Sequence, residues 1–203
     1  MWRSHQHSSR LYLVLGIMAT VFSYHLTLAQ SPPLTPLPRS SFVLEIDPLA
    51  YFYRGFALEG AFSIENHRLF VEAVSLDVPS FITDVFVSNG ENYSERRNII
   101  LGIGYSYFFF EHQKGLFAGM DISNSSSTFT HKMNRQSVNT ETLRLGIRLG
   151  YTFYPLPFLP NLLISPWISP RIGLNIQDIP IGQEIIKRGN VDAVGALHIG
   201  WRF

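Results

Sequence analysis

Hydrophobic and polar residues alternate along most of this chain, most clearly at its end. From Val191 to Phe203 every second residue (Val191, Ala193, Gly195, Leu197, Ile199, Trp201, Phe203) is apolar or glycine. Asp192, His198, Gly200 and Arg202 stand between them. A period of two marks a strand whose two faces meet different surroundings. A water-soluble sheet rarely leaves a final strand ending in exposed aromatics. In a strand that crosses lipid, the apolar row faces outward and the terminal aromatics sit at the interface.

The same pattern predicts seven earlier strands. The first covers about Phe42 to Tyr53, with Val43, Glu45 and Asp47 alternating with Phe42, Leu44 and Ile46, and with Pro48 implying a bulge or register change. The second, about Phe56 to Glu65, sets Phe56, Leu58, Phe62 and Ile64 against Ala57, Glu59, Ala61, Ser63 and Glu65. A tight turn at Glu65 to Arg68 leads to the third, about Leu69 to Asp77. There Glu72 is out of phase with Ser75 and Asp77, and the facing stays open. The fourth, about Asn98 to Phe109, and the fifth, about Gly115 to Ser125, alternate cleanly. In the sixth, Leu143, Leu145, Ile147, Leu149, Tyr151 and Phe153 oppose Arg144, Gly146, Arg148, Gly150 and Thr152. The seventh, about Leu162 to Asn175, carries Pro166 and Pro170 on its apolar row, which implies local loss of pairing.

Most of these eight strands have the ~9–11 residues that cross a membrane at a tilt. The connections after the second, fourth and sixth are short. Those after the third (Val78 to Glu95, with a Ser88-Asn89-Gly90 turn signal), the fifth (to Thr140) and the seventh (Gln177 to Asn190) read as long polar loops. The FITDVFV piece in the first of these reads as an extension of a hairpin. Short turns at one end and long loops at the other are the rule for outer-membrane barrels. The fold class is therefore all-β, an eight-stranded antiparallel transmembrane β-barrel with both termini periplasmic. Phe62, Tyr105, Tyr107, Tyr151, Phe153, Trp201 and Phe203 close the even-numbered strands and form an aromatic belt at one interface.

Composition sharpens this picture. Charged residues make up 15% of the chain, against the usual ~25%. Lysine is nearly missing from the strands, although soluble sheet edges use it. A soluble eight-stranded barrel with its apolar row inside fits these features less well. Cysteine is absent, which excludes disulfides, thiolate metal sites and a cysteine nucleophile. At the N-terminus Arg3 and Arg10 precede an apolar run, Leu11 to Phe22, and Thr27-Leu28-Ala29 offers a small-residue cleavage site. Residues 1–29 thus read as a signal peptide, 30–41 as a proline-rich periplasmic leader, and 42–203 as the barrel. Cleavage removes two arginines and leaves 14 basic against 15 acidic residues, so nothing points to a nucleic-acid partner.

The C-terminal GALHIGWRF resembles the assembly signal of small eight-stranded outer-membrane barrels of Gram-negative bacteria, with Leu197, Ile199, Trp201 and Phe203 at its alternating positions. The segment EIDPLAYFYRGFALEGAFSIENHRLFVEAV resembles the opening hairpin of uncharacterised members of that group. The resemblance implies the outer membrane as location. It also implies outer-membrane lipid, lipopolysaccharide and the barrel-assembly machinery as partners, and a monomer.

The polar row predicts a lumen that holds Glu45, Asp47, Glu59, Glu65, Asp121, Arg144, Arg148, Arg171, His198 and Arg202. Eight strands leave just enough room for side chains to fill the interior, and charges buried there must pair. Depth along the strands places Glu59, Asp121, Arg144, Arg148 and Arg171 in the outer half and Glu45, Glu65, His198 and Arg202 nearer the periplasm. Asp121 is expected to pair with Arg148 or Arg144, and Arg202 with Glu45. The leading function is structural or surface-interacting, with a salt-bridged plug and no cofactor. A narrow pore or small-ligand channel is the alternative. A lipid A-modifying enzyme is a further one, which needs a His/Ser/acid set at the membrane face. His67, His112, His131 and His198 show no such set and no metal-ligand spacing in sequence.

Overall fold

The computed structural model describes residues 39–87, 90–181 and 184–203, without the side chains of Val85 and Glu184. The signal peptide and nearly all of the proline-rich leader lie outside the described residues, as do Ser88 and Asn89 of the turn signal.

Eight antiparallel strands close into a barrel: β1 (Ser40–Ile46), β2 (Phe56–Ile64), β3 (His67–Asp77), β4 (Tyr93–Phe108), β5 (Gly115–His131), β6 (Ser137–Thr152), β7 (Leu162–Gly173) and β10 (Val191–Arg202). A separate hairpin, β8 (Ile179–Ile181) with β9 (Glu184–Ile186), lies between β7 and β10. The barrel closes where β10 pairs with β1, opposing Glu45 to Gly200. Phe203 N–H donates to the Phe42 carbonyl at 2.8 Å beyond the last ladder pair. Ser40 and Phe203 therefore share one end of the barrel, the near end.

Alternation decides which side chains face in. Leu44, Leu58, Val71, Ile103, Met120, Ile147, Ile168 and Leu197, one from each barrel strand, are exposed on the outside. Glu45, Glu59, Arg68, Asp121, Arg148, Ser169 and His198 are buried inside. This is the reverse of a water-soluble barrel, and it suits a hydrocarbon surround. On β6 the outward apolar row runs from Leu143 to Tyr151. That is about 27 Å along the strand and about 20 Å of height at a ~40° tilt, close to a membrane barrel's apolar band. At the near end His67 and Tyr107 rings lie 5.2 Å apart, Tyr107 and Phe109 5.8 Å, and Phe42 and Phe203 6.3 Å.

Several expectations are corrected. The first strand does not reach Tyr53. Pro48 ends it and starts helix α1 (Pro48–Phe52), because Asp47 takes the N-cap position and accepts from the Leu49 amide at 3.0 Å. The FITDVFV piece is helix α2 (Ser80–Phe86), not strand. The Ser/Thr/Asn-rich stretch after Ser125 is not a loop: β5 continues to His131 and β6 begins at Ser137, with a tight turn between. Its outward face is polar because it stands beyond the apolar band. The connection after β7 is not uniformly polar either. Ile179, Ile181 and Ile186 of the β8–β9 hairpin pack with Val87, Tyr93 and Phe129 and cap the far end.

Two irregularities in the pattern have local causes. The register of β3 on β4 shifts between Val74 and Leu76. Glu72 points inward in phase with Arg68 and Phe70; the extra residue belongs to β4, where Arg97 and Ile100, three apart, both face in. In β7, pairing with β6 is missing opposite both Pro166 and Pro170, while pairing with β10 runs unbroken. Ile164 N–H donates to the Phe153 carbonyl on the β6 side at 2.9 Å. By alternation Pro166 and Pro170 face the same way, and proline has no N–H to give.

Candidate functional site

Strand register places three carboxylates side by side. Glu45 on β1 opposes Glu59 on β2, and Glu59 opposes Glu72 on β3. Like charges opposed on neighbouring strands repel, so the row requires cations. Arg68 Nη2 forms an ion pair with Glu45 Oε1 at 2.6 Å and donates to Glu59 Oε1 at 2.9 Å. Arg148 crosses the lumen from β6: Nη1 lies 2.6 Å from Glu59 Oε2 and Nη2 2.7 Å from Glu72 Oε2. Arg171 on β7 links Glu72 Oε1 at 3.3 Å to Asp121 Oδ1 at 3.1 Å. His198 Nδ1 meets Glu45 Oε2 at 2.8 Å. The result is one connected layer of carboxylates, guanidiniums and an imidazole that runs around the inner wall. Arg148 also lies between two rings, 4.0 Å from Phe70 and 3.9 Å from Trp167.

Glycines on the inward row leave space for these groups. A Cβ at Gly200 would meet Glu45 Cγ at 2.5 Å, and one at Gly104 would meet Phe70 Cζ at 2.2 Å. Bulk at either point would displace the layer.

A second charged layer lies toward the far end. Arg144 Nε donates to Asp192 Oδ2 at 2.9 Å and its Nη1 to Ser125 Oγ at 2.7 Å. Arg97 sits 3.3 Å from Glu95 and 3.6 Å from Asp192. Above them Arg188 donates to Thr142 at 3.0 Å. Burial holds the Arg188 guanidinium below its ordinary pKa, with Glu95 pulling the other way. Between the layers is a cavity of about 60 Å³ bordered by Ala57, Val74, Ile100, Trp167, Val194 and Ala196. The near end closes on Tyr154, whose ring lies 4.8 Å from the Arg202 guanidinium, and Ser41 bonds Gln113. Burial raises the Tyr154 phenol pKa, opposed by Arg202 and Arg68.

Of the residues expected in the lumen, Glu45, Glu59, Asp121, Arg148, Arg171 and His198 meet in the first layer, and Arg144 joins the second. The expected depth division fails, because Glu59 and Glu45 share one level. Asp121 pairs with Arg171 and accepts from Ser169 at 3.0 Å, rather than pairing with Arg144 or Arg148. Arg202 is buried but donates to Pro160 O and Asn161 Oδ1, both at 3.0 Å, not to Glu45. Register explains this: Arg202 opposes Val43, one inward step below Glu45. Glu65 is exposed, with φ 51 in the β2–β3 turn, and belongs to neither layer. Sequence reasoning missed Arg68 and Glu72. The phase break at Glu72 was the available signal, and Arg68 was hidden by its assignment to a turn. Leu197, Ile199, Trp201 and Phe203 line the outer face of β10.

The fold creates a ligand-like cluster that spacing in sequence did not reveal. Ligand atoms of Glu45, Glu59 and His198 lie within 4.8 Å of one another. Arg68 sits on both carboxylates and Arg148 on Glu59, so a divalent cation would have to share the space with two guanidiniums. The remaining histidines among the described residues are engaged elsewhere. His67 meets the Tyr105 hydroxyl at 2.7 Å, His112 bonds Asn66, and His131 Nδ1 accepts the Met133 amide at 3.2 Å.

No family profile and no curated protein matches the chain. Among solved structures, the chain is similar to the N-terminal β-barrel domain of Pseudomonas aeruginosa OprF at 12% identity and a TM-score of 0.44, covering 81% of this chain and 98% of that one. Neisserial surface protein A gives 13%, 0.41, 80% and 92%. Ail, the attachment invasion locus protein of Yersinia pestis, gives 14%, 0.42, 81% and 97%.

Proposed function

We propose that this chain is an integral outer-membrane barrel that does not conduct and that holds a rigid surface structure for interaction. The single observation that carries this is the connected Glu45–Arg68–Glu59–Arg148–Glu72–Arg171–Asp121 layer, which fills the lumen from wall to wall beneath an apolar exterior. In this reading the near end is periplasmic, and the far end with its polar β4–β5–β6 wall is outside the cell. Lipid and lipopolysaccharide surround the band. The outward row Leu197, Ile199, Trp201 and Phe203 is what the assembly machinery reads, and the barrel works as a monomer.

Three measurements test this. Heat-modifiable gel migration of the detergent-folded protein checks the barrel. Planar-bilayer recording checks the plug: a quiet bilayer is expected, and reproducible single-channel steps from the wild-type protein would overturn it in favour of a narrow pore. Labelling of an Asn139→Cys variant by a membrane-impermeant maleimide on intact cells checks the orientation.

A further inference from the structure

β1 stops short, and the wall above it is built differently. Its last residue, Ile46, opposes Leu58, and the ladder continues through Ala73, Leu101 and Asn124 to Leu143 of β6. In the other direction Ile46 opposes Ile199, which opposes Ile164, and Ile164 bridges Phe153 of β6. The rungs of a tilted barrel climb in one sense around it, so Ile46 lies in height between Phe153 and Leu143. β1 therefore ends inside the apolar band. β10 runs on past it to Val191, and α1 lies against β10, β2 and β3 in place of a strand.

The cavity between the two charged layers reaches the wall at this point. Leu58 and Gly195, which face outward on β2 and β10, border it together with the inward-facing residues. Most of its inner border is apolar, from Ala57 and Val74 to Val194 and Ala196. Two buried donors on that border have no hydrogen-bond partner among the described residues: the Trp167 indole Nε1–H and the Arg171 Nε–H. A buried donor is costly to leave unpaired, so an acceptor belongs here. A water molecule needs several polar partners, and the apolar border supplies none. An anion is opposed by Glu59 and Glu72, which border the same space.

We propose that this cavity binds the carbonyl end of an uncharged apolar chain, and that the chain leaves between Leu58 and Gly195 into the lipid. At about 60 Å³ the cavity is well below the roughly 150 Å³ that takes benzene, so it holds the head group and not the chain. The site goes beyond the plugged-barrel reading: it lies above the first charged layer, asks for no conduction, and does not depend on which end faces out of the cell.

The probe is 2-octanone, titrated into the ¹⁵N-labelled full-length barrel in detergent micelles. The Trp167 indole and Arg171 Nε–H resonances are assigned by Trp167→Phe and Arg171→Lys. Both are expected to move downfield and saturate, while the Trp201 indole on the lipid face drifts without saturating. 2-Methyl-1-octene, with a methylene in place of the oxygen, should bind at least about tenfold more weakly, and so should octanoate at pH 8. Ala196→Leu fills the cavity and should abolish the saturable shift; Ala57→Val repeats this if Ala196→Leu loses its heat-modifiable band. Gly195→Leu obstructs the way out. It should weaken 2-octanone at least about tenfold and leave acetone, which has no chain to place, unchanged. Absence of a saturable shift, as in a cavity that holds water only, would overturn the proposal. So would equal binding of the alkene or octanoate, persistence of the shift in the filled variants, or an unchanged 2-octanone affinity in Gly195→Leu. Single-channel steps in bilayers would sink the plugged reading and leave these titrations standing.

Discussion

Replacing Arg148 by leucine gives the most demanding test of the lumen layer. The side chain is 3% exposed and spans from β6 to β2 and β3 through contacts of 2.6 and 2.7 Å. Removing one partner of a buried ion pair costs about 3–5 kcal/mol, because the other charge stays behind. Here Glu59 keeps Arg68 and Glu72 keeps Arg171, which places the loss near the lower limit. Leaving the slot between Phe70 and Trp167 adds about 1 kcal/mol, offset by leucine packing there. A net destabilisation of about 3 kcal/mol results, roughly a 150-fold fall in the folded-to-unfolded ratio. Urea titration of the micelle-folded barrel, read by tryptophan fluorescence and heat-modifiable migration, measures it. Arg148→Lys should fall between, since lysine keeps the charge but cannot bond both acids as a fork. A double-mutant cycle with Glu59→Gln should show coupling above about 1 kcal/mol. A loss below about 1 kcal/mol for Arg148→Leu, with no coupling, would refute the claim that the layer holds the walls together.

The other predictions are simpler. Gly104→Ala should destabilise by about 1–3 kcal/mol, because the new Cβ meets Phe70, whereas Gly60→Ala, whose nearest atom is 3.6 Å away, should be neutral or slightly stabilising in the same titration. Pro170→Val should stabilise by about 1 kcal/mol by restoring an N–H toward Ile147 of β6; a drop in stability would count against the proline account of the gap. Glu65→Gln should shift stability by less than about 0.5 kcal/mol, consistent with its exposure in the turn. Phe203→Ala should lower the amount of folded barrel recovered from the outer membrane while leaving refolded stability nearly unchanged. A loss of refolded stability matching the loss in cells would assign Phe203 to packing rather than to assembly.

The strands and their facing were legible in the sequence because alternation is local. The facing of Arg148 needs no knowledge of other strands: Ile147 out forces Arg148 in, since successive side chains leave opposite faces of a strand. The chain itself thus determined eight strands, the apolar exterior, the charged interior and most members of the lumen layer. Pairing among those members was not legible. It depends on register between strands that sequence alone does not align. Arg202 lies opposite Val43 rather than Glu45, and Glu45, Glu59 and Glu72 fall into one row only through the β1–β2 and β2–β3 pairings. Arg68 joins that layer only because β3 begins at His67, which puts Arg68 and Glu72 on one inward row. The far-end segments depended on tertiary structure for a different reason. Serines and threonines that read as loop in β5 become strand because β4 and β6 lie on either side to pair with them, and the isoleucines of β8 and β9 find an apolar partner only where Phe129 closes the barrel mouth. Local pattern fixes which face a side chain takes. Which charge it meets is set by the closed sheet.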